Sequence, residues 1–289
     1  MLESAVSYEK KRVKSQGTDY KFIDIAKIVE ESNSEMLKRL PGFIVRIIAW
    51  IVRQDEMNRI LQKYSECTGK EFLVKIIEEF NLTIEVDGKE NLPEDGKCFF
   101  VANHPFGVID GLVLTHTISG KYRELKAIAN DSFMFIPQLR PLIAAVNVFD
   151  SPTKIYAKAL DDVYNSDIPI THFPSGEVSR RYNGKVQDTA WQKSFIKKAI
   201  SSRRDIVPIF IYGRNSRLFY FINSSRRLLG IKTNIELLLL PREMFRKKNK
   251  TIRIRIGTPI SYLGLDDSAT HRDEAQKVRS FVYELGNNG

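Results

Sequence analysis

The sequence is poor in the residues that define disulfide-rich and zinc-binding proteins. It contains 2 cysteines and 4 histidines in 289 residues. Cys67 and Cys98 lie in different segments, and their spacing fits neither a zinc site nor a disulfide framework. These absences exclude a secreted disulfide scaffold and indicate a protein that works in a reducing compartment.

Long apolar runs are also missing. The most apolar stretch, residues 42–52, is about half as long as a bilayer-spanning helix and contains Arg46. Residues 1–24 are polar and charged throughout, and we expect no signal peptide there. The sequence therefore predicts no membrane-spanning helix, and it shows no internal repeat or low-complexity linker.

Negative charge is scarce relative to positive charge. The chain has 45 Lys and Arg against 35 Asp and Glu, which gives a formal net charge of +10. This excess favours an anionic partner, which could be nucleic acid, an anionic membrane surface or a phosphorylated carrier. A basic surface without a specific partner is the alternative. The hydrophobic content of 43% and charged content of 28% are those of an ordinary globular protein.

Residues 1–82 are predicted to form an N-terminal helical segment, because apolar residues recur there at helical spacings. Residues 42–52 include Trp50 and have Lys38, Arg39 and Arg53 nearby. Such a segment can lie in a membrane interface, and we expect residues 1–82 to associate with a membrane. The alternative is that residues 42–52 simply pack on the core.

From residue 83 onward, apolar strands alternate with helical segments. This alternation predicts an α/β fold for residues 83–289, with a mostly parallel sheet flanked by helices. The predicted strands are 83–88, 97–102, 125–129, 146–149, 168–173, 206–211 and 251–256, and the predicted helices are 110–119, 152–165, 189–203, one or two within 215–245, and 272–285.

The first candidate site lies between a strand and a helix. His104 follows the apolar run 99–102, and Asp110 falls in the first turn of the next helix. A carboxylate there can accept a hydrogen bond from the imidazole, fix its tautomer and support the charge it gains as a base. His104 and Asp110 are therefore a candidate general base and its partner, although such a pair can also be purely structural.

Two later loops could share a pocket with His104, since loops at the carboxyl ends of strands line the ligand crevice of open α/β sheets. In the loop 174–181, Gly176 allows close backbone approach and two arginines can hold an anion; an ordinary surface turn is the alternative. The other loop follows strand 206–211 and contains Gly213 and Arg214. Beyond it, residues 218–222 are aromatic enough to wall an acyl tunnel or touch lipid, or they belong to the core.

These motifs, in this order and at these intervals, resemble the glycerolipid and lysophospholipid acyltransferases. The resemblance covers residues 83–260 and is carried by Asn103-His104 with Asp110, then Phe173–Gly176, then Val207–Ile209. It is closest to the bacterial branch that acylates lyso-aminolipids such as lyso-ornithine lipid, whose members often carry the label hemolysin.

The resemblance implies a fold, a reaction and a set of site residues. His104 would take the proton of an acceptor hydroxyl, with Asp110 as its partner, and the hydroxyl would attack the thioester of acyl carrier protein or acyl-CoA without a metal or a resident cofactor. It also implies a lysolipid acceptor and a peripheral position at the cytoplasmic face of the inner membrane. The predicted substrate-binding residues are Asn103, Phe173, Pro174, Ser175, Gly176, Glu177, Arg180, as the anion contact, and Arg214.

The sequence departs from the family pattern at three places. Five residues separate His104 from Asp110, where the family has four, and we expect Gly107 to absorb the extra one. Ser175 stands where the family has glutamate, and Glu177 comes one place after the glycine. The arginine expected after the strand near residue 149 is missing from 150–154, which points to a head group other than glycerol phosphate.

Three other functional classes are compatible with parts of this sequence. A nucleic-acid-binding protein would explain the charge, but the aromatic residues lie in apolar runs rather than among the basic ones, so we expect no nucleic acid. A metal-dependent hydrolase could use His104, Asp110 and His172, but no second cluster with ligand spacing follows. A catalytically silent protein that binds membrane surfaces would not need His104, and it is the main alternative.

Overall fold

The computed structural model describes residues 21–32, 34–146, 154–182, 184–265 and 270–287. Five helices come first in this part of the chain, as the helical spacing of apolar residues predicts. They are α1 (Ile25–Glu30), α2 (Glu35–Lys38), α3 (Gly42–Ile51), α4 (Gln54–Lys63) and α5 (Gly69–Glu79).

A seven-stranded sheet follows and alternates with helices. Its strands are β1 (Thr83–Asp87), β2 (Cys98–Ala102), β3 (Lys126–Asn130), β4 (Ile143–Val146), β5 (Ile170–His172), β8 (Asp205–Ile211) and β9 (Thr251–Ile256). The helices are α6 (Val108–Ser119), α7 (Lys154–Asn165), α8 (Ser194–Ser202), α9 (Arg217–Leu228), α10 (Leu240–Phe245) and α11 (His271–Asn287). Strands β6 (Arg180–Tyr182) and β7 (Lys185–Gln187) form a separate antiparallel hairpin.

The strand order of the large sheet is β1-β9-β8-β2-β5-β3-β4. All neighbouring pairs are parallel except β8 and β9. The predicted α/β fold with a mostly parallel sheet is therefore confirmed. Strand β2 lies between β5 and β8, so the loops after these three strands meet at one edge of the sheet.

Both faces of the sheet are covered, and β2 is buried along its whole length. Phe100 and Ala102 face the core shared with α4, α5 and α6, whereas Phe99 and Val101 face the core shared with α8 and α11. Helices α4 and α5 thus bury their apolar faces in the same core as the sheet. The assignment of residues 1–82 as a separate, membrane-associating segment stays a prediction.

Helix α3 leaves its apolar side chains exposed. Phe43, Ile47 and Trp50 are 56%, 47% and 79% exposed, and no residue between Gly42 and Ile51 is buried. The spacing of these three residues places them on one face of the helix. Within the described ranges, no helix is both long and apolar enough to cross a membrane.

One strand prediction and one loop prediction need correction. The strand predicted at 146–149 begins earlier, since β4 spans Ile143–Val146, and residues 147–153 lie outside the described part of the chain. The loop predicted at 174–181 is wrong at its end, because Arg180 and Arg181 start β6. Three-residue strands give too little alternation to be recognised from sequence.

Candidate active site

His104 lies in the loop between β2 and α6, next to the two groups that orient its ring. Its Nδ1 is 3.1 Å from Oδ2 of Asp110. Its ring stacks on the ring of Phe173, with a centroid distance of 4.0 Å. The predicted pair thus has the geometry of an imidazole held by a carboxylate, and Nδ1 faces that carboxylate while Nε2 is left for another partner.

Asp110 is fully buried and holds the loop as well as the imidazole. Its Oδ2 accepts hydrogen bonds from the backbone N–H groups of Phe106 and Gly107, at 2.8 and 3.2 Å, and its Oδ1 accepts one from Gly111 at 3.0 Å. A carboxylate in the first turn is stabilised by these N–H groups, which have no acceptor within the helix, and by the helix dipole. The same carboxylate therefore starts α6 and orients His104.

Gly107 makes the five-residue spacing compatible with this contact. Its φ is +92°, a conformation that side-chain-bearing residues rarely adopt. A Cβ at this position would approach Leu240 to 2.9 Å and Val178 to 3.1 Å. The expectation that Gly107 absorbs the extra residue agrees with this geometry, and Asp110 is not displaced from His104.

Two opposing effects act on the charge of His104. Burial by itself would lower the pKa of the imidazole, whereas the charge of the Asp110 carboxylate, 3.1 Å away, raises that pKa, and the net pKa is raised. The imidazole is thereby stabilised in its protonated form, which a base needs once it has taken a proton.

Asp188 belongs to the site but was not predicted. It is buried, accepts a hydrogen bond from the backbone N–H of His104 at 3.2 Å, and accepts others from the Ser179 hydroxyl at 2.5 Å and the Trp191 indole at 2.9 Å. Burial raises the pKa of its carboxyl group. Asp188 stands 84 residues from His104, so no local spacing could have connected the two.

The second predicted loop lies against the His104 loop, as expected. The backbone N–H of Ser179 donates to the carbonyl of His104 at 2.8 Å. Gly176 is exposed with φ +68°, and a Cβ there would lie 2.6 Å from Nε2 of Gln192. Ser175 is buried and donates its hydroxyl hydrogen bond to the carbonyl of Glu177. Pro174 is buried beside it, and Glu177 is half-buried.

Arg180, the predicted anion contact, is buried and already paired. Its guanidinium lies 3.1 Å from Oε1 of Glu236, a fully buried carboxylate, and it also donates to the carbonyl of Val178 at 2.6 Å. Glu236 also holds Arg226 and Asn223. An anion could bind Arg180 directly only if Glu236 released it, so the geometry favours a structural role.

Asn103 is likewise engaged within the fold. Its amide group exchanges two hydrogen bonds with the backbone of Ile211, at 2.7 and 3.0 Å, and so ties the end of β2 to the end of β8. Beyond β8, Gly213 lies against the ring of Phe106, and Asn215 donates to the carbonyl of Phe106 at 3.3 Å. The third predicted loop is thereby joined to the His104 loop.

A cavity of about 1030 Å³ is lined in part by this third loop. The hairpin β6–β7, the start of α9 and the end of α11 form its walls, with Gly213, Asn215 and Tyr220 among its lining residues. No carboxylate lines it among the described residues. The cationic residues that do line it are Arg181, Lys185, Arg214 and Arg217.

His172 ends strand β5, next to the site. Its Nδ1 is buried without a hydrogen-bond partner among the described residues. Burial, together with the charge that His104 can carry, lowers the pKa of His172 to about 4. Within the described ranges, no three His, Cys, Asp or Glu side chains are gathered closely enough to hold a metal ion.

Comparison with known proteins agrees with the predicted resemblance. Residues 27–289 match the family model described as Acyltransferase. A lyso-glycine lipid O-acyltransferase of Phocaeicola vulgatus is 38% identical over 264 residues, which are 91% of this chain and 95% of that protein. A protein of the same name from Bacteroides thetaiotaomicron is 37% identical over 264 residues, 91% of this chain and 97% of that protein.

Among solved structures, the 1-acyl-sn-glycerophosphate acyltransferase PlsC of Thermotoga maritima matches with a TM-score of 0.43 and 17% identity, over 84% of this chain and 93% of that one. The family model spans most of the chain, and the two lyso-glycine lipid O-acyltransferases align along 91% of it. The chain therefore belongs to this acyltransferase family and is an acyltransferase enzyme.

Proposed function

We propose that this enzyme transfers a fatty acyl chain from an acyl thioester to the hydroxyl of a lyso-aminolipid, with lyso-glycine lipid as the first acceptor to test. The observation that carries the proposal is the oriented imidazole of His104, 3.1 Å from the Asp110 carboxylate. The names of the two relatives at 37% and 38% identity support the acceptor class.

In this proposal, Nε2 of His104 accepts the proton of the acceptor hydroxyl, because Nδ1 faces Asp110. The hydroxyl oxygen then forms a bond to the thioester carbonyl carbon, and the carbon–sulfur bond breaks. The proton held by His104 passes to the leaving thiolate. A thioester needs little activation beyond a positioned nucleophile, so the chain's main tasks are to bind, orient and hold a proton.

The basic cavity supports an anionic substrate. A glycine that is attached through its nitrogen keeps a free carboxylate, which Arg181, Lys185, Arg214 or Arg217 can pair with. The phosphate of an acyl carrier protein or of CoA offers similar chemistry. Both donors stay within the proposal, and the experiments below separate donor from acceptor.

The enzyme is further proposed to act as a peripheral protein at the cytoplasmic face of the inner membrane. The exposed face of α3, with Phe43, Ile47 and Trp50, supports attachment to a lipid interface. Acyl thioesters and free thiols belong to a reducing compartment, which supports the cytoplasmic side.

The deciding experiment measures transfer of labelled acyl chains from acyl carrier protein and from CoA to lyso-glycine lipid, lyso-ornithine lipid and lysophosphatidic acid. We expect transfer to a lyso-aminolipid, lost by about 1,000-fold in His104→Ala and kept in His116→Ala, which changes a histidine near the far end of α6. A folded wild-type protein that binds vesicles but transfers to no acceptor would favour the catalytically silent alternative.

A second assay tests what the cavity binds. Arg214→Ala should raise the KM for lyso-glycine lipid about 10-fold and leave the KM for its methyl ester unchanged, since the ester lacks the charge. Lys197→Ala, an exposed change on α8 outside the cavity, is the matched control. If Arg214→Ala instead raised the KM of the donor, the cavity would bind the donor phosphate.

A further inference from the structure

An exposed apolar surface lies on the segment that joins β8 to β9, next to the cavity. Leu228 and Leu229, at the end of α9, are 88% and 72% exposed, and Phe221 is 67% exposed. Leu218, Phe221 and Leu228 recur at spacings of three and seven residues, which places them on one face of α9. Contiguous exposed apolar side chains of this kind mark an interaction surface.

The next element continues this surface. In the 3-10 helix Ile235–Leu239, Ile235 and Leu238 are 39% and 40% exposed, whereas Leu239 and Glu236 are buried. Ile231, between the two elements, is 40% exposed. One side of the segment thus packs inward and the other presents aliphatic side chains to the outside.

The exposed charged side chains of this region are all cationic. Between Arg214 and Lys250 the sequence contains two carboxylates, Glu236 and Glu243, and both are buried and paired with arginines. The exposed charges among the aliphatic residues are cationic, as at Arg217, Arg227 and Lys232. A surface that is both aliphatic and purely cationic is complementary to the interface of an anionic bilayer, where tails and head groups meet.

We propose that residues 217–238 form a second membrane-binding surface, distinct from α3, which inserts Leu228 and Leu229 into an anionic lipid interface. The inference rests on the proposed function in one respect, namely that the acceptor is a membrane lipid. Beyond the proposed function, the proposal names the residues through which the enzyme binds that membrane.

The surface is firmly joined to the active-site loops. Glu236, flanked by the exposed aliphatic residues of the 3-10 helix, pairs with Arg180 at the start of β6 and with Arg226 of α9. Leu239 packs with Val178 of that loop and with Phe219 of α9. Contact with lipid therefore fixes the orientation of the site, and it brings the cavity to the membrane because Phe221 lies on both.

Ile51 connects this surface with the exposed apolar face of α3. It ends α3 and packs against the same cluster of Val178, Phe219 and Leu239. The two exposed apolar faces therefore belong to neighbouring elements. A protein held at two such places binds more tightly than at either alone, because the second contact is intramolecular.

The test is flotation of the full chain with vesicles of phosphatidylcholine alone and of equal parts phosphatidylcholine and phosphatidylglycerol. The double change Leu228→Asp and Leu229→Asp should lower partition into the mixed vesicles by at least about 10-fold. Leu263→Asp is the matched control, since Leu263 is 79% exposed on a different element, and should change partition by less than about two-fold. Arg227→Glu with Lys232→Glu should remove the preference for the anionic vesicles.

Two results would overturn the proposal. In one, the Leu228→Asp and Leu229→Asp double variant floats with vesicles as the wild type does, while the separate variant Trp50→Asp no longer floats. Helix α3 alone would then account for membrane binding. Another is a wild-type protein that self-associates through these leucines, seen as a lower mass by light scattering for the double variant without vesicles. Turnover of detergent-dispersed lysolipid should be the same in the double variant as in the wild type, because no membrane is needed there. If the wild type itself shows no turnover in detergent, the proposed function fails, and the flotation result is unaffected.

Discussion

Two histidines lie at the ends of neighbouring strands, and their surroundings drive their pKa values in opposite directions. His104 follows β2 and His172 ends β5, where it is in register with Val101. Burial lowers the pKa of both. His104 has the buried carboxylate of Asp110 beside it, which raises its pKa above the ordinary value, whereas the pKa of His172 falls to about 4. One buried carboxylate thus distinguishes an imidazole whose pKa is raised from one whose pKa is lowered.

The largest expected effect comes from removing each histidine in turn. His104→Gln should lower kcat by about 1,000-fold or more, because a positioned general base contributes on that order. His172→Gln should lower kcat by less than about 10-fold, since a pKa of about 4 makes the His172 ring a poor proton acceptor near neutral pH. Steady-state rates measure both, with the donor and acceptor that the deciding transfer experiment selects. Equal losses in the two variants, with both folded, would show that the two rings act as a unit.

The origin of the difference is tested at Asp110. Asp110→Asn keeps an acceptor for the N–H groups of Phe106 and Gly107 but removes the charge, so kcat should fall by about 100-fold while the fold remains. The base must be neutral to act, so its raised pKa places the acidic limb of the wild-type pH profile above the ordinary histidine pKa of about 6.5. In Asp110→Asn this limb should move to lower pH.

A pH–rate profile of kcat checks the shift, with thermal unfolding of each variant as the control for folding. An acidic limb that stays in place in Asp110→Asn would mean that another group sets it.

Much of this comparison could be predicted from sequence, because its parts are local. Strand β2, the turn at Gly107 and the carboxylate of Asp110 fall within 13 residues of one another, so apolar runs, glycine and spacing sufficed to place them. The strand-helix alternation gave the α/β sheet for the same reason. For residues 42–52 the sequence leaves two alternatives, a position in a membrane interface and packing on the core, since the apolar residues nearly encircle the helix.

The contacts that could not be predicted from the sequence join residues that are far apart along the chain. Glu236 lies 56 residues from Arg180, and Asp188 lies 84 residues from His104. An arginine after a glycine-containing loop has the sequence pattern of an anion contact, and nothing near Arg180 in the sequence indicates the segment that buries it. Such pairings follow from tertiary packing and leave no periodic signal.

A smaller effect is expected from the glycine that brings Asp110 to His104. Gly107→Ala places a Cβ at φ +92°, against Leu240 and Val178. It should lower the free energy of unfolding by about 1–3 kcal/mol, the usual cost of such a conformation, and lower kcat by displacing Asp110. Gly264→Ala is the matched control, because its Cβ would meet nothing within 4 Å. Chemical denaturation measures both, and equal stability of the two variants would contradict the packing argument.

The smallest expected effect is on stability, and its sign differs between the two histidines. For His104 the folded pKa is raised, so its contribution is full below the unfolded pKa and is lost as pH rises through the folded pKa. For His172 the folded pKa is about 4, against 6.5 unfolded. Its contribution is therefore present above pH 6.5 and is lost as pH falls toward 4, because the unfolded chain binds a proton that the folded chain refuses.

Between pH 7 and pH 5.5, this difference amounts to about 1 kcal/mol of wild-type stability. His172→Gln has no such proton to bind, so over this interval its free energy of unfolding should fall by about 1 kcal/mol less than that of the wild type. Denaturation at the two pH values measures the difference, and subtraction of the two proteins cancels the opposite contribution of His104, which both retain. Parallel pH dependences would mean that His172 is protonated in the folded chain, and the contrast between the two rings would then rest on Asp110 alone.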